Sequence, residues 1–374
     1  MRSITIDNEK KCIIINLHLE EVFHNLFTYR TNWSNESAVN STGDADKETE
    51  QKTYIKHNDD QNSLLINDDK GIYQSSLSES TIKYLESTIP DVEQYSFLIL
   101  MDRIEKISNN ALREFVNLLR KIVDKNTVNL SEVEGKVFGA IEKYYNDPFT
   151  FNDVEKGKIE IHKKTPANHL SLGGDYYKKI WNVVLKARVM KEDCRELYNA
   201  ISHSSPVKLK YYFNIKPLFN DPVFLCNAVY DLAMQLEGEF DTKFSKNNRN
   251  KCLLAMSMNG MTICSLLSQL FEVDIIRIDH LGPYNELYLS SFERFVDPRK
   301  DYYIVSDVIC MGREVSDAKA VMKMFGAECK GVICFINIIP VGEKNSNTYS
   351  IIDIDKNSNK DYGYGIYTDL SYTN

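Results

Sequence analysis

Residues Tyr302–Phe325 read YYIVSDVICMGREVSDAKAVMKMF. Tyr302–Ser306 opens with a short aromatic and β-branched run, which predicts a buried strand. Asp307 follows at its carboxyl end, two aliphatic residues come next, and Gly312 supplies a turn. Val315–Phe325 then carries apolar residues at helical spacing, with Gly326 as its stop. Strand, loop and amphipathic helix in that order form the repeating unit of an α/β sheet.

The same grammar extends on both sides. Cys252–Met256 predicts a strand, Met261–Phe271 a helix, Val273–Ile278 a strand and Gly331–Ile338 another strand. Such apolar strands separated by helices of ten or so residues predict a parallel sheet covered on both faces. Ahead of them, Val207–Ile215 (VKLKYYFNI) alternates Val207, Leu209, Tyr211 and Phe213 on one face, the period of a strand. Asp221-Pro222 places an acid at an N-cap and proline at the first helical position, opening a helix to about Leu236 that Gly238 closes. In an open α/β sheet ligands bind where loops gather at the carboxyl ends of the strands. The loops there are Ser257–Gly260, the stretch from Asp279 to Lys300, and Asp307–Glu314.

The first half reads differently. Cys12–Leu19 (CIIINLHL) is β-rich, and Thr31 to about Asn62 is a polar run with almost no large apolar residue. Such a run cannot bury enough surface to offset its ordering entropy and is expected to be a flexible segment. Order returns at Ser80–Thr88 and Phe97–Met101, the latter a short strand signal. Helices are predicted over Ala111–Val123, Val133–Tyr145 and Tyr176–Ala187, so residues 1–195 are expected to form a mostly helical domain. The α/β sheet domain would occupy 196–355, with a polar tail over 356–374. Phe97–Met101 followed by Asp102 has the strand-then-acid layout of a nucleotide-hydrolysing site. No Gly-rich cradle ending Gly-Lys-Ser/Thr accompanies it, so ATPase chemistry is excluded and Asp102 is read as a helix N-terminal residue.

Of 374 residues, 45 are Lys or Arg and 53 Asp or Glu, a net charge of −8 that argues against a general nucleic-acid coat. The longest apolar stretch, Gly331–Val341, is about half the ~20 residues a bilayer crossing needs. The start, MRSITIDNEKK, has no apolar secretory core, so a cytoplasmic location is expected. Eight cysteines without any C-x-x-C pair, and seven histidines without metal-binding spacing, predict reduced buried thiols and no zinc site built by the protein.

Asp307–Glu314 resembles the PRPP-binding motif of type I phosphoribosyltransferases. That motif is a strand, two adjacent acids, two aliphatics and a hydroxyl-rich turn opening a helix. Gly326, Ala327, Gly331 and Val332 match its usual continuation. Ser204–Phe213 with the Asp-Pro helix start resembles orotate phosphoribosyltransferases, as does Tyr349–Ile354 as a closing strand. Met256–Met261 (MSMNGM) resembles the diphosphate loop, and Arg277–Gly282 the start of the catalytic loop. The resemblance spans about residues 195–355. It implies a phosphoribosyltransferase-like fold with a small hood. Asp307 would hold the ribose, with Arg277 and His280 as further catalytic candidates. Ser306, Cys310, Met311, Gly312, Arg313 and Glu314 would bind the 5′-phosphate, and Ser257, Met258, Asn259 and Gly260 the diphosphate with Mg²⁺. This sequence departs from the motif in four respects. Ser306 stands at the first acid, Cys310 and Met311 replace hydroxyl residues, Glu314 replaces the last threonine, and Lys300 is the nearest later lysine for the diphosphate.

Two activities are compatible with these residues. One is Mg²⁺-dependent transfer of a 5-phosphoribosyl group between PRPP and a nitrogenous base. The other is a catalytically degenerate fold acting as a nucleotide sensor, effector or interaction module in a bacterial multi-component assembly such as an antiviral defence system. Relatives are usually dimers, which makes a homodimer the expected state, and the N-terminal half is the candidate surface for a protein partner.

Overall fold

A computed structural model of the chain describes residues 4–6, 11–24, 26, 71–131, 133, 135–144, 150–155, 158–162, 174–191, 194–197, 207–209, 211–241, 248–278, 295–310, 312–339, 347–354 and 366–368. It divides into two compact units, Met1–Lys178 and Lys179–Asn374. The polar run 31–62 lies outside the described residues.

The first unit contains β1 (Ile4–Ile6), β2 (Cys12–Asn16), α1 (residues 17–24), β3 (Ser75–Leu77), α2 (Glu79–Thr88), β4 (Ser96–Leu100) and β5 (Ile104–Ile107). It continues with α3 (Asn109–Val123), β6 (Thr127–Ser131), α4 (Gly135–Tyr144), β7 (Thr150–Glu155) and β8 (Lys158–His162). The mostly helical expectation is corrected by a six-stranded sheet in the order β1-β2-β4-β6-β8-β7. β2, β4 and β6 are parallel, and antiparallel strands flank them on both sides. The strands that escaped sequence reading, such as TVNLS and KIEIH, are short and mix polar with apolar residues, so no continuous apolar run marks them. α3 packs Leu112, Phe115, Leu119 and Ile122 into the core beneath this sheet, capped by Ser108, whose side chain accepts from Ala111 N–H. Asp102 lies in the turn between β4 and β5, beside Arg103 at φ 67°, and does not start a helix.

α1 is unusual in burying His18, Glu20 and Glu21 completely or nearly so. Glu21 accepts from both the N–H and the hydroxyl of Ser78, each at 3.0 Å, and so anchors the residue that caps α2. His18 is pushed down to a pKa of about 3, first by burial and then by the positive charge of Arg103.

The second unit holds most of α5 (Gly174–Val189), then β9 (Arg195–Leu197), β10 (Val207–Leu209), β11 (Tyr211–Phe213), α6 (Lys216–Phe219) and α7 (Pro222–Gln235). β12 (Lys251–Ala255), α8 (Met258–Phe271), β13 (Asp274–Arg277), β14 (Asp301–Val305) and β15 (Val308–Cys310) follow. α9 (Arg313–Met324), β16 (Glu328–Ile338), β17 (Thr348–Ile354) and β18 (Ile366–Thr368) complete it. The expected parallel sheet with flanking helices is present: β13-β12-β14-β16, with β15 and β17 also pairing with β16, every pair parallel. Leu254, Tyr302 and Ile304 from the strands bury against Ala318 and Met322 of α9. Asp221 caps α7 through Val223 and Phe224 N–H, with Pro222 at N1 and Gly238 at φ 99° beyond the end.

Strand pairing departs from the sequence reading in two segments. Val207–Ile215 is not one strand but β10 and β11, which pair separately with β18 and β9. β18 is drawn from the segment read as a polar tail, because backbone pairing asks nothing of side-chain hydrophobicity. Among the described residues, no helix is long and apolar enough to cross a membrane. The eight cysteines, all among the described residues, form no disulfide. Burial pushes Cys12 and Cys329 up to about 11 and Cys252 up to about 12, so these thiols stay protonated near neutral pH.

Candidate functional site

The chain leaves β12 through α8, returns beside it as β13, and then crosses to the opposite side of β12 as β14. Strand order therefore reverses between β12 and β14, which opens a crevice at their carboxyl ends. Register brings Ala255, Val305 and Arg277 to this one edge.

From β12, Ser257 caps α8 by accepting from Gly260 N–H at 2.9 Å. Asn259-Gly260, a dipeptide typical of turns, thus lies in the first helical turn. Gly260 is required for a reason separate from phosphate contact: a Cβ there would sit 2.7 Å from the carbonyl oxygen of Val305. The first turn of α8 is seated directly on the end of β14.

From β14, the chain kinks at Ser306–Asp307 and resumes as β15. Ser306 N–H donates to Ile333 O at 3.0 Å, and the Asp307 carbonyl accepts from both Phe335 and Ile336 N–H at 3.0 and 3.2 Å. Two N–H groups share this one carbonyl, so the break between β14 and β15 stays tied to β16 with its register unchanged. The Asp307 carboxylate meets α8. Asn259 Nδ2 donates to its Oδ2 at 2.6 Å, and the hydroxyls of Ser257 and Ser306 lie 3.4 and 3.5 Å from Oδ1. Asp307, Ser257 and Asn259 are half-buried and Ser306 is buried.

Beyond β15, Cys310 is half-buried, and Gly312 at φ 66° turns the chain into α9. An L-residue strains at such a φ and glycine does not. Arg313 and Glu314 occupy the exposed first turn of α9, where the helix dipole favours Glu314. Met311 and His280 lie outside the described residues. Lys300 is corrected as a diphosphate lysine: it pairs with Asp274 at the amino ends of β13 and β14, the edge opposite the crevice.

Thus Asp307, Ser257, Asn259, Gly260 and Ser306 converge, while Arg277 stands exposed at the same edge on β13. The sequence reading assigned Asn259 to a backbone phosphate loop and missed its side-chain bond to Asp307. The two residues are 48 positions apart and meet only through the register of β12 with β14. The convergent groups are hard oxygen donors and one amide, suited to hydroxyls and to a hard cation.

No protein-family model matches the sequence, and no curated protein does. Among solved structures, part of the chain is similar to orotate phosphoribosyltransferase from Aeropyrum pernix at 14% identity, covering 48% of this chain and 99% of that one, with a TM-score of 0.33. Adenine phosphoribosyltransferase from Thermoanaerobacter pseudethanolicus matches at 14% identity over 38% of this chain and 88% of that one, TM-score 0.31. The Trypanosoma brucei adenine enzyme, solved with AMP, pyrophosphate and ribose-5-phosphate, matches at 13% identity over 46% and 79%, TM-score 0.31.

Proposed function

We propose that the C-terminal unit binds a ribose 5-phosphate compound, PRPP or a nucleotide, at the carboxyl ends of β12 and β14. One observation carries this reading: an acid at the break between β14 and β15, Asp307, is hydrogen-bonded to the first turn of the helix that follows the neighbouring strand. Asp307 accepts the ribose hydroxyls, the α8 turn around Ser257–Gly260 faces the diphosphate, and Gly312–Glu314 faces the 5′-phosphate. Mg²⁺ carried on the ligand's diphosphate would neutralise its charge, and the oxygens of Asp307 and Ser257 are those that could hold it.

Transfer of the sugar would break the C1′–oxygen bond to diphosphate and form a C1′–nitrogen bond to a base. The protein's part is to position the two groups and stabilise the departing anion. The second reading, a nucleotide-sensing module or effector without turnover, is favoured by Glu314. In the first turn of α9 it places a carboxylate where a phosphate dianion would sit. A homodimer, and a bacterial partner engaged through the first unit, belong with that reading.

Isothermal titration with PRPP and Mg²⁺ tests the proposal. Binding at micromolar PRPP, weakened at least tenfold by Asp307→Asn, is the expected result. No heat at millimolar PRPP or nucleotide overturns it, and base-dependent pyrophosphate release selects transfer over sensing. Glu314→Thr removes a like charge, worth about 1 kcal/mol at roughly 4 Å in water, and should tighten PRPP binding about fivefold. Unchanged affinity would mean that the phosphate does not reach α9.

A further inference from the structure

A ribose cis-diol presents two hydroxyls to be received, and Ser306 leaves only one acid on β14 to receive them. The Ser306 hydroxyl is buried and turned inward, 3.5 Å from Asp307 Oδ1 and 3.4 Å from Val308 O. It offers no second acceptor to the crevice. Asn259 approaches from α8, and its amide orientation is fixed chemically: a carboxylate only accepts, so Nδ2 must be the atom 2.6 Å from Asp307 Oδ2. The carbonyl Oδ1 is then left beside the carboxylate, and among the described residues nothing donates to it.

We infer that Asn259 completes the diol-binding pair, supplying from α8 the acceptor that the residue at 306 does not supply from β14. This rests on the ribose reading above and names the second residue of the same site. The substitution has an electrostatic consequence. An acid–amide pair carries one negative charge where two acids carry two, so it repels an anionic ligand less. Ribose recognition at this pair therefore depends little on a divalent cation. Replacing Asn259 leaves the α8 cap in place, since that cap is made by Ser257 and not by the amide.

The test uses the full chain titrated with AMP and with 2′,3′-dideoxy-AMP, in EDTA and in Mg²⁺. The wild type should prefer AMP at least tenfold, and should do so in EDTA. Asn259→Ala should weaken AMP about fivefold, leave dideoxy-AMP unchanged and so narrow the preference. Asn259→Asp should recover AMP binding only with Mg²⁺. Should the alanine variant melt below the working temperature, Asn259→Ser gives the same comparison. An unaltered AMP preference in Asn259→Ala, while Asp307→Asn abolishes it, overturns the inference alone. Tighter AMP binding in Asn259→Ala also overturns it, because the amide would then merely cover the carboxylate. No AMP binding by the wild type, or no effect of Asp307→Asn, overturns the ribose reading and the inference with it.

Discussion

Gly260→Ala should lower the stability of the C-terminal unit by about 2 kcal/mol and abolish ligand binding at Asp307. The added methyl would lie 2.7 Å from Val305 O and 3.3 Å from Ser257 Oγ. Val305 O belongs to the sheet backbone and cannot step aside, so α8 must lift. Overpacking of this kind costs roughly 1–3 kcal/mol, and loosening the Ser257 cap costs about 1 kcal/mol more. Alanine's higher helix propensity returns about 1 kcal/mol, so the clash wins. Lifting α8 also carries Asn259 and Ser257 away from the carboxylate they hold. Urea unfolding followed by circular dichroism, together with the PRPP titration, checks both halves. An unshifted midpoint would show that the first turn of α8 is not seated on β14.

Acidification should weaken the first unit through His18. An imidazole held to a pKa of about 3 in the fold has a value near 6.5 once unfolded. The folded state prefers the neutral ring, so this stability is complete above pH 6.5 and is lost as pH falls from there toward 3. The slope is about 1.4 kcal/mol per pH unit, which makes the loss between pH 7 and pH 5 about 2 kcal/mol. That window lies above the ordinary carboxylate range, so solvent-exposed acids contribute little to it. His18→Gln, which cannot take up the proton, should flatten the dependence between pH 7 and 5. Urea midpoints for the two proteins across that range make the comparison; equal slopes would place the ring in contact with water.

The second unit was readable in its alternation because a parallel sheet buried on both faces imposes continuous apolar strands. β12, β14 and β16 stand out for that reason, and Ser257 and Asp307 fall just beyond the ends of β12 and β14. The start of α8 was placed three residues late, since Asn259-Gly260 advertises a turn and only the Ser257 cap shows the helix beginning before it. In the first unit, β2 and β4 were visible as apolar runs, whereas β6, β7 and β8 carry too few consecutive apolar residues to stand out. Lys300 is the nearest later lysine to the diphosphate loop by sequence distance alone. Being the residue before β14, it necessarily sits at the sheet's other end. The Asn259–Asp307 bond could not be read at all, because it depends on strand pairing between distant segments.

The kink at Ser306–Asp307 has a thermodynamic corollary. Because the Asp307 carbonyl is shared by Phe335 and Ile336, the acid is mounted on ladder backbone and arrives at any encounter already immobilised. A ligand received there forfeits little chain freedom on the protein's behalf, so its association should show a small heat-capacity change and amide-exchange rates at Phe335 and Ile336 that saturation scarcely alters.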